Sequence, residues 1–176
     1  YMDGKFDAFQ IVFFRAVVGL LLIIPIVSRS GLKALHTKKL SLHCVRALFG
    51  LFAMAALYYA VAAKPLAEVI ALTFLIPIFV TLASGIVLRE LVGIHRWIAT
   101  IFGFGGALII IRPGFVEFSF PIFLAILSSA LYAGAWSAVK VLTRTDQASI
   151  MLFWFNFLML PLTLVPSVFV WVTPNW

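Results

Sequence analysis

Five side chains suited to solute recognition lie inside long apolar stretches of this sequence. They are Arg15, Arg46, Tyr132, Trp136 and Asn156. An arginine inside an apolar span can attract a carboxylate or a phosphate, and aromatic rings can form a wall that faces a substrate. Because a cation at mid-membrane costs about 2.5–3.5 kcal/mol, it needs a partner or a wet cavity. These five residues are therefore the candidate substrate-binding residues.

Each candidate also has a structural interpretation. Arg15 can bond helix carbonyls and hold helices together, and Arg46 lies nearer a membrane surface, which its long side chain can reach. Tyr132 and Trp136 are four residues apart on one helical face, so they form either core packing or a substrate-facing wall. Asn156 can hydrogen-bond between helices. The sequence leaves these alternatives open.

The sequence has no grouping of residues typical of catalysis or metal binding. His36, His43 and His95 have no cysteine or carboxylate at ligand spacing, which favours interfacial polar roles. The single cysteine, Cys44, is interpreted as a small packed residue. All six acidic residues lie outside the apolar spans or at their edges, so a mid-membrane carboxylate proton relay is not supported. We predict no catalytic residue, no metal site, no cofactor and no enzymatic activity.

The elements that must position these residues are transmembrane helices. Hydrophobic residues make up 64% of the chain and charged residues 11%, against about 25% charged in an average soluble domain. Apolar runs of about 20 residues can cross a hydrocarbon core about 30 Å thick. Six such spans are predicted, at 8–27, 42–63, 66–88, 94–111, 120–142 and 150–172. We therefore expect an all-α integral membrane protein built as a multi-helix bundle.

The net charge of +7 does not indicate a nucleic-acid partner, because the basic residues lie mainly between the spans. One predicted side carries eight of the thirteen Lys and Arg residues, namely Arg29, Lys33, Lys38, Lys39, Arg89, Arg96, Lys140 and Arg144. The opposite side carries Lys5, Lys64 and Arg112. The positive-inside rule therefore predicts that the first side is cytoplasmic.

The spans at 66–88 and 94–111 are predicted to form an antiparallel hairpin that can move. Pro77 removes a backbone donor in mid-span and should kink the first of them. Ala99, Gly103 and Ala107 form a ridge of small residues on the second span, suited to close helix packing, and Gly106 lies beside it. Pro77, Gly103 and Gly106 are therefore the candidate hinge and packing residues.

This stretch resembles the fourth and fifth helices of an EamA-type transporter of the drug/metabolite transporter superfamily. The matching features are Pro65-Leu66-Ala67, Leu75-Ile76-Pro77, Glu90, Trp97, Gly103, Gly106 and Arg112-Pro113-Gly114. The resemblance covers nearly the whole chain. It implies ten helices in two five-helix repeats of inverted topology, with a binding site near the midplane between them.

Under that resemblance the chain divides into two parts. Residues 1–114 would be a first repeat without its first helix, with four spans, and residues 115–176 would begin the second repeat, with two spans. A weak internal similarity agrees, since residues 6–14 and 145–153 share an aspartate, an isoleucine and a phenylalanine at matching places. We expect one more helix before Tyr1 and about three after Trp176.

The function that the resemblance implies is secondary transport of a small organic metabolite by alternating access, in a bacterial-type inner membrane. The solute would be like an amino acid, a nucleoside or a vitamin; S-adenosylmethionine and riboflavin are both assigned to similar proteins. The expected partners are this solute, the lipid bilayer and, as one option, a second copy in a homodimer. The alternatives are an integral membrane enzyme acting on lipids and a non-transporting membrane subunit.

Overall fold

The computed structural model describes residues 8–30, 35–86, 93–111 and 119–169, and these form helices without a strand. The helices are α1 (Ala8–Ser30), α2 (Leu40–Ala63), α3 (Leu66–Thr73), α4 (Ile76–Ile86), α5 (Ile94–Ile111), α6 (Phe120–Leu142) and α7 (Ala148–Phe169). The all-α prediction is confirmed. The predicted span ends at 87–88 and 170–172 lie outside the described residues, as do Lys5, Lys33, Arg89 and Arg112 of the orientation prediction.

Five stretches of the described chain are long and apolar enough to cross a membrane. They are Phe9–Ser28, Leu40–Ala63, Leu66–Ile86, Phe120–Leu142 and Ala148–Phe169. Helix α5 coincides with the remaining predicted span. Two of these helices carry internal prolines, Pro25 in α1 and Pro161 and Pro166 in α7, which membrane helices tolerate. The chain is a multi-pass helical membrane protein.

The predicted kink at Pro77 takes the form of a break one turn earlier. Helix α3 ends at Thr73, and α4 begins at Ile76 with Pro77 in its first turn. Between them the amides of Phe74 and Leu75 donate to carbonyls three residues back, at 3.2 and 3.1 Å. The displacement has a physical cause, because a proline ring clashes with the carbonyl four residues before it, here that of Thr73.

The first compact unit comprises the described residues of Tyr1–Leu51 and Ala138–Trp176. It contains α1, the first half of α2, the end of α6 and α7, and α1 packs along α7. Its buried apolar side chains include Val12, Ala16, Ala47 and Met159. Gly19 on α1 and Gly50 on α2 let side chains of α7 approach their backbones closely.

The second compact unit comprises Phe52–Ser137. Its buried apolar cluster is formed by Ala60, Val69, Leu72, Ile122 and Ala125. Two buried hydroxyls join its helices: Ser128 donates to the carbonyl of Ala53 at 2.7 Å, and Ser129 donates to that of Leu72 at 3.0 Å. Small residues allow these close approaches between helices.

The close packing predicted at Gly103 and Gly106 is not seen among the described residues. Helix α5 contacts α3 and α4. Both glycines are nevertheless exposed, and a Cβ built at either would meet no described atom within 4 Å. The face of α5 that carries the two glycines is therefore not the face that contacts α3 and α4 among the described residues. The side chain of Ala107, the third member of the predicted ridge, lies outside the described residues.

Candidate functional site

Arg46 is held between two groups of α7. Its Nη1 donates to the carbonyl oxygen of Met151 at 3.0 Å, and its guanidinium carbon lies 4.7 Å from the centre of the Phe155 ring. A cation over an aromatic face is attracted by the negative face of the ring. The Arg46 side chain therefore joins α2 to α7.

Gly50 makes room for the Phe155 ring that Arg46 covers. A Cβ built at Gly50 would lie 3.0 Å from Cε2 of Phe155 and 3.7 Å from Cε of Met159. Gly50 is one turn after Arg46 on the same side of α2. Arg46, Phe155 and Gly50 thus form a continuous contact, which we call the α2–α7 seam.

Asn156 lies where α7 crosses α1. Its Nδ2 donates to the carbonyl of Leu152, one turn back in α7, at 2.9 Å. Its Oδ1 would be 2.8 Å from a Cβ built at Gly19. Arg15, one turn before Gly19 on α1, has an exposed side chain. Within the first unit, the candidates are therefore a cation in the α2–α7 seam, an amide at the α1–α7 crossing, and an exposed arginine.

Tyr132 and Trp136 belong to the second unit and differ in burial. Tyr132 is half-buried, whereas 57% of Trp136 is exposed. Core packing therefore does not account for Trp136 among the described residues. An exposed indole on an apolar helix can contact lipid or a flat solute, and it carries one hydrogen-bond donor.

The sequence analysis missed a cluster at the start of α2. Nε2 of His43 lies 2.8 Å from Oδ2 of Asp146, and the Thr37 hydroxyl donates to the same oxygen at 2.8 Å. The backbone amide of Lys39 donates to the Thr37 hydroxyl at 3.1 Å. The His43 and Asp146 side chains are 0% and 8% exposed.

An aromatic side chain of α7 borders this cluster. The rings of His43 and Trp154 lie 6.2 Å apart, and the indole nitrogen of Trp154 donates to the Leu35 carbonyl at 3.1 Å. The sequence did contain a signal for the pair, since the count of basic residues put residues 28–41 and 143–149 on one side. It gave no reason to join these two particular residues. Gln10 of α1, fully buried, is another polar residue that the sequence analysis did not select.

The cluster favours an ionised Asp146. Burial by itself would raise the pKa of this carboxyl, which lies outside the spans, in the turn between α6 and α7. The hydrogen bonds from His43, Thr37 and Thr145 outweigh burial and hold the pKa below its ordinary value. Among the described residues, no three His, Cys, Asp or Glu side chains are grouped to hold a metal ion.

Apolar helices of spanning length, joined through buried polar contacts, define this protein as a polytopic α-helical membrane protein. Sequence comparison identifies the family within this class: the EamA-like transporter family matches residues 1–112. The chain belongs to the EamA-like transporter family, within the drug/metabolite transporter superfamily.

Three relatives illustrate the match. The riboflavin transporter of Brucella anthropi is 36% identical over 78% of this chain and 48% of its own length. That of Vibrio cholerae is 31% identical over 90% and 54%. The S-adenosylmethionine uptake transporter of Rickettsia prowazekii is 25% identical over 99% and 60%. The chain thus spans about half the length of the curated relatives it matches. No solved structure matches it.

Proposed function

We propose that this chain is part of a secondary transporter that moves a small organic metabolite by alternating access across a bacterial-type inner membrane. The observation that carries the proposal is the family match, together with relatives named for riboflavin and S-adenosylmethionine. Both solutes contain a flat, nitrogen-rich ring system with a polar chain. The proposed substrate class is therefore a vitamin-like or nucleoside-like heteroaromatic metabolite. Another relative is named a pseudopaline exporter, so the direction of transport is left to experiment.

The proposed architecture is ten helices in two inverted repeats. Residues 1–114 supply four helices of the first repeat, and residues 115–176 supply two of the second. The break between α3 and α4, just before Pro77, is the proposed hinge, since it lacks regular helical hydrogen bonds. Gly103 and Gly106 are proposed to pack against a part of the assembly beyond the described contacts, either another helix of the transporter or a second copy in a homodimer.

The five candidate residues receive different proposed roles. Trp136 and Tyr132 stack against the ring system of the solute, and the exposed Arg15 attracts an anionic group such as a carboxylate. Arg46 and Asn156 orient α2, α1 and α7, because their polar groups already contact these helices. They act on binding through position rather than by touching the solute.

A solute-uptake experiment tests this proposal. Full-length protein in proteoliposomes should take up labelled riboflavin or S-adenosylmethionine, and Trp136→Ala should raise the half-saturation concentration about tenfold, as loss of roughly 1.4 kcal/mol of ring contact requires. Because Trp136 is exposed, the amount of folded protein should not change. Phe123→Ala, at another exposed aromatic of α6, is the matched control and should leave uptake unaltered. Failure of both probes to enter would contradict the proposed substrate class.

The lipid-enzyme alternative finds little support in the described residues. Its most suitable chemistry would be the His43–Asp146 pair, which resembles a general base with its orienting acid. The His43 side chain is 0% exposed, however, so a lipid headgroup cannot reach it in this conformation. The buried pair fits a role inside the protein.

A further inference from the structure

The break between α3 and α4 leaves a backbone acceptor that its own helix cannot use. In a continuous helix residue 77 would donate to the Thr73 carbonyl, but Pro77 has no backbone N–H. The amides of Phe74 and Leu75 donate three residues back, at 3.2 and 3.1 Å, and helical bonding resumes at the Phe79 amide. The covalent structure alone therefore puts the Thr73 carbonyl at a gap in the helical ladder.

This gap lies at the middle of an apolar span. The span is Leu66–Ile86, and residues 74 and 75 lie within about 3 Å of its centre, at about 1.5 Å per residue. Hydrocarbon offers no hydrogen-bond donor. Backbone that departs from the helix at this depth is tolerated where protein buries it or where it lines a water-filled cavity, and not where it faces lipid.

One face of α3 is closed by α6. Val69 and Leu72 belong to the buried cluster that also contains residues of α6. The Ser129 hydroxyl of α6 donates to the Leu72 carbonyl at 3.0 Å, and the Leu75 amide donates to the same oxygen. A carbonyl oxygen has two lone pairs, so these two donors occupy this acceptor fully. Helix α6 thus binds the break on its inner side.

The opposite face of α3 is open among the described residues. Ile70 and Phe74 are one turn apart on it and are 44% and 51% exposed, and Pro77 is exposed one turn further along. Thr73 lies beside them on this side of the helix. Since the released backbone oxygen requires polar surroundings, this face indicates a cavity beside the break rather than lipid.

The aromatic candidates of α6 lie at the depth of the break and in the same compact unit. Helix α5 returns the chain between α4 and α6, so α6 crosses the membrane in the same direction as α3 and α4. Ser129 lies beside Leu72, and Tyr132 and Trp136 follow it by about 4.5 and 10.5 Å along α6. Tyr132 is therefore level with the break, and Trp136 lies about one turn further along the same side of α6.

We propose that the break lines the solute cavity and that the Thr73 carbonyl accepts a hydrogen bond from a ring N–H of the solute. This assignment rests on the proposed transport function. The two solutes named for the relatives share the required group, since riboflavin carries an imide N–H and the adenine of S-adenosylmethionine carries an amino group. A ring stacked on Tyr132 and Trp136 can present its edge at this depth. The carbonyl then selects rings with a donor, because an acceptor left without its partner weakens binding.

The first test measures, without any solute, whether water reaches the break. In full-length protein freed of its other cysteines, Phe74→Cys is treated with a charged thiol reagent, which modifies thiolates in water. Phe52→Cys, at the middle of α2 and 59% exposed, is the matched control. Phe74→Cys should react about tenfold faster than the control, because a thiol ionises in water and not in lipid. Equal rates would give the break the surroundings of an ordinary exposed position and overturn the proposal.

The second test measures selectivity for the donor. Equilibrium binding of riboflavin is compared with that of 3-methylriboflavin, in which a methyl group replaces the imide hydrogen. The parent should bind riboflavin about tenfold more tightly, as the loss of one hydrogen bond to a desolvated acceptor requires. Pro77→Ala restores an amide that can donate to the Thr73 carbonyl, so the preference should fall to about twofold or less. Pro25→Ala, which changes a proline inside the continuous helix α1, should keep the preference of the parent.

The ratio of the two affinities separates the carbonyl contact from a hinge. If Pro77 acts only on movement or stability, Pro77→Ala changes both affinities by the same factor, and the unchanged preference refutes the contact. If riboflavin neither binds nor protects Phe74→Cys from the reagent, S-adenosylmethionine is compared with its 6-dimethylamino analogue. Failure of both solutes to bind contradicts the proposed substrate class and the contact with it, whereas binding without selectivity contradicts the contact alone.

Discussion

The two compact units hold their helices together by different chemistry. In the first, a guanidinium of α2 bonds a carbonyl of α7 and covers an aromatic ring. In the second, buried serine hydroxyls of α6 bond carbonyls of α2 and α3, with alanines at the approach. Lipid offers no hydrophobic drive for helices to associate, so both units depend on packing and polar contacts. Among the described residues, the charged contacts named above lie in the first unit, which also contains the His43–Asp146 pair.

The difference predicts how each unit responds to change. The charged contact between α2 and α7 depends on the one long side chain of Arg46. Its loss leaves a cavity and removes the partner of the Met151 carbonyl and of the Phe155 ring. Hydroxyl contacts are short, individually weak and supported by close backbone approach. Substitutions in the α2–α7 seam should therefore cost more stability than substitutions at the serines.

The largest effect is expected from Arg46→Ala. It removes a charge-assisted hydrogen bond to Met151 and a cation–π contact with Phe155, so the free energy of unfolding should fall by about 2–4 kcal/mol. Arg46→Lys keeps the charge but loses the planar guanidinium, so its free energy of unfolding should lie between those of the parent and Arg46→Ala. Reversible unfolding in mixed micelles measures all three. A loss in Arg46→Ala no larger than that at the serines would remove the distinction between the units.

A somewhat smaller effect is expected from Gly50→Leu. The new side chain would enter the space of the Phe155 ring, and overpacking of this kind costs about 1–3 kcal/mol. Gly85→Leu in α4 is the matched control, since a Cβ at Gly85 meets no described atom within 4 Å. The free energy of unfolding of the control should be unchanged or slightly higher, because leucine is a better helix former than glycine. Equal destabilisation of both would mean that Gly50 is not a packing site.

The sequence predicted the helices well, because apolar runs of spanning length have few other structures. It predicted that Pro77 disturbs its helix but not where the helix breaks, and the break at Phe74–Leu75 follows the clash of the proline ring with the Thr73 carbonyl. It grouped Tyr132 with Trp136 from helical spacing, but spacing does not define which side of α6 is covered by neighbours. The His43–Asp146 pair was missed because its members are 103 residues apart and depend on tertiary packing.

An effect of intermediate size is expected on the stability of the protein at low pH, through Asp146. The pKa of Asp146 is lowered in the folded protein, so its contribution to stability is complete above the unfolded value and is lost as pH falls through the folded one. The expected window therefore lies below about pH 4. To exclude His43 itself, the comparison uses His43→Gln with and without Asp146→Asn. The difference in thermal midpoint between them should shrink below pH 4, and a difference that is constant with pH would show that Asp146 does not titrate as proposed.

The smallest effect is expected from Ser128→Ala. The Ser128 hydroxyl donates to the Ala53 carbonyl at 2.7 Å, between α6 and α2. That carbonyl lies inside α2 and can still accept its helical hydrogen bond, so the loss should be only about 0.6 kcal/mol, the average for such contacts in membrane proteins.

Ser137→Ala provides the internal control on the same helix. The Ser137 hydroxyl bonds the Ala133 carbonyl of α6 itself at 2.8 Å, so it joins no second helix and its removal should leave the free energy of unfolding unchanged. Ser128→Ala should therefore be less stable than Ser137→Ala by a few tenths of a kcal/mol, and much more stable than Arg46→Ala. Indistinguishable serine variants would mean that alanine packing alone holds the second unit, and the contrast between the units would then be one of charge against close packing.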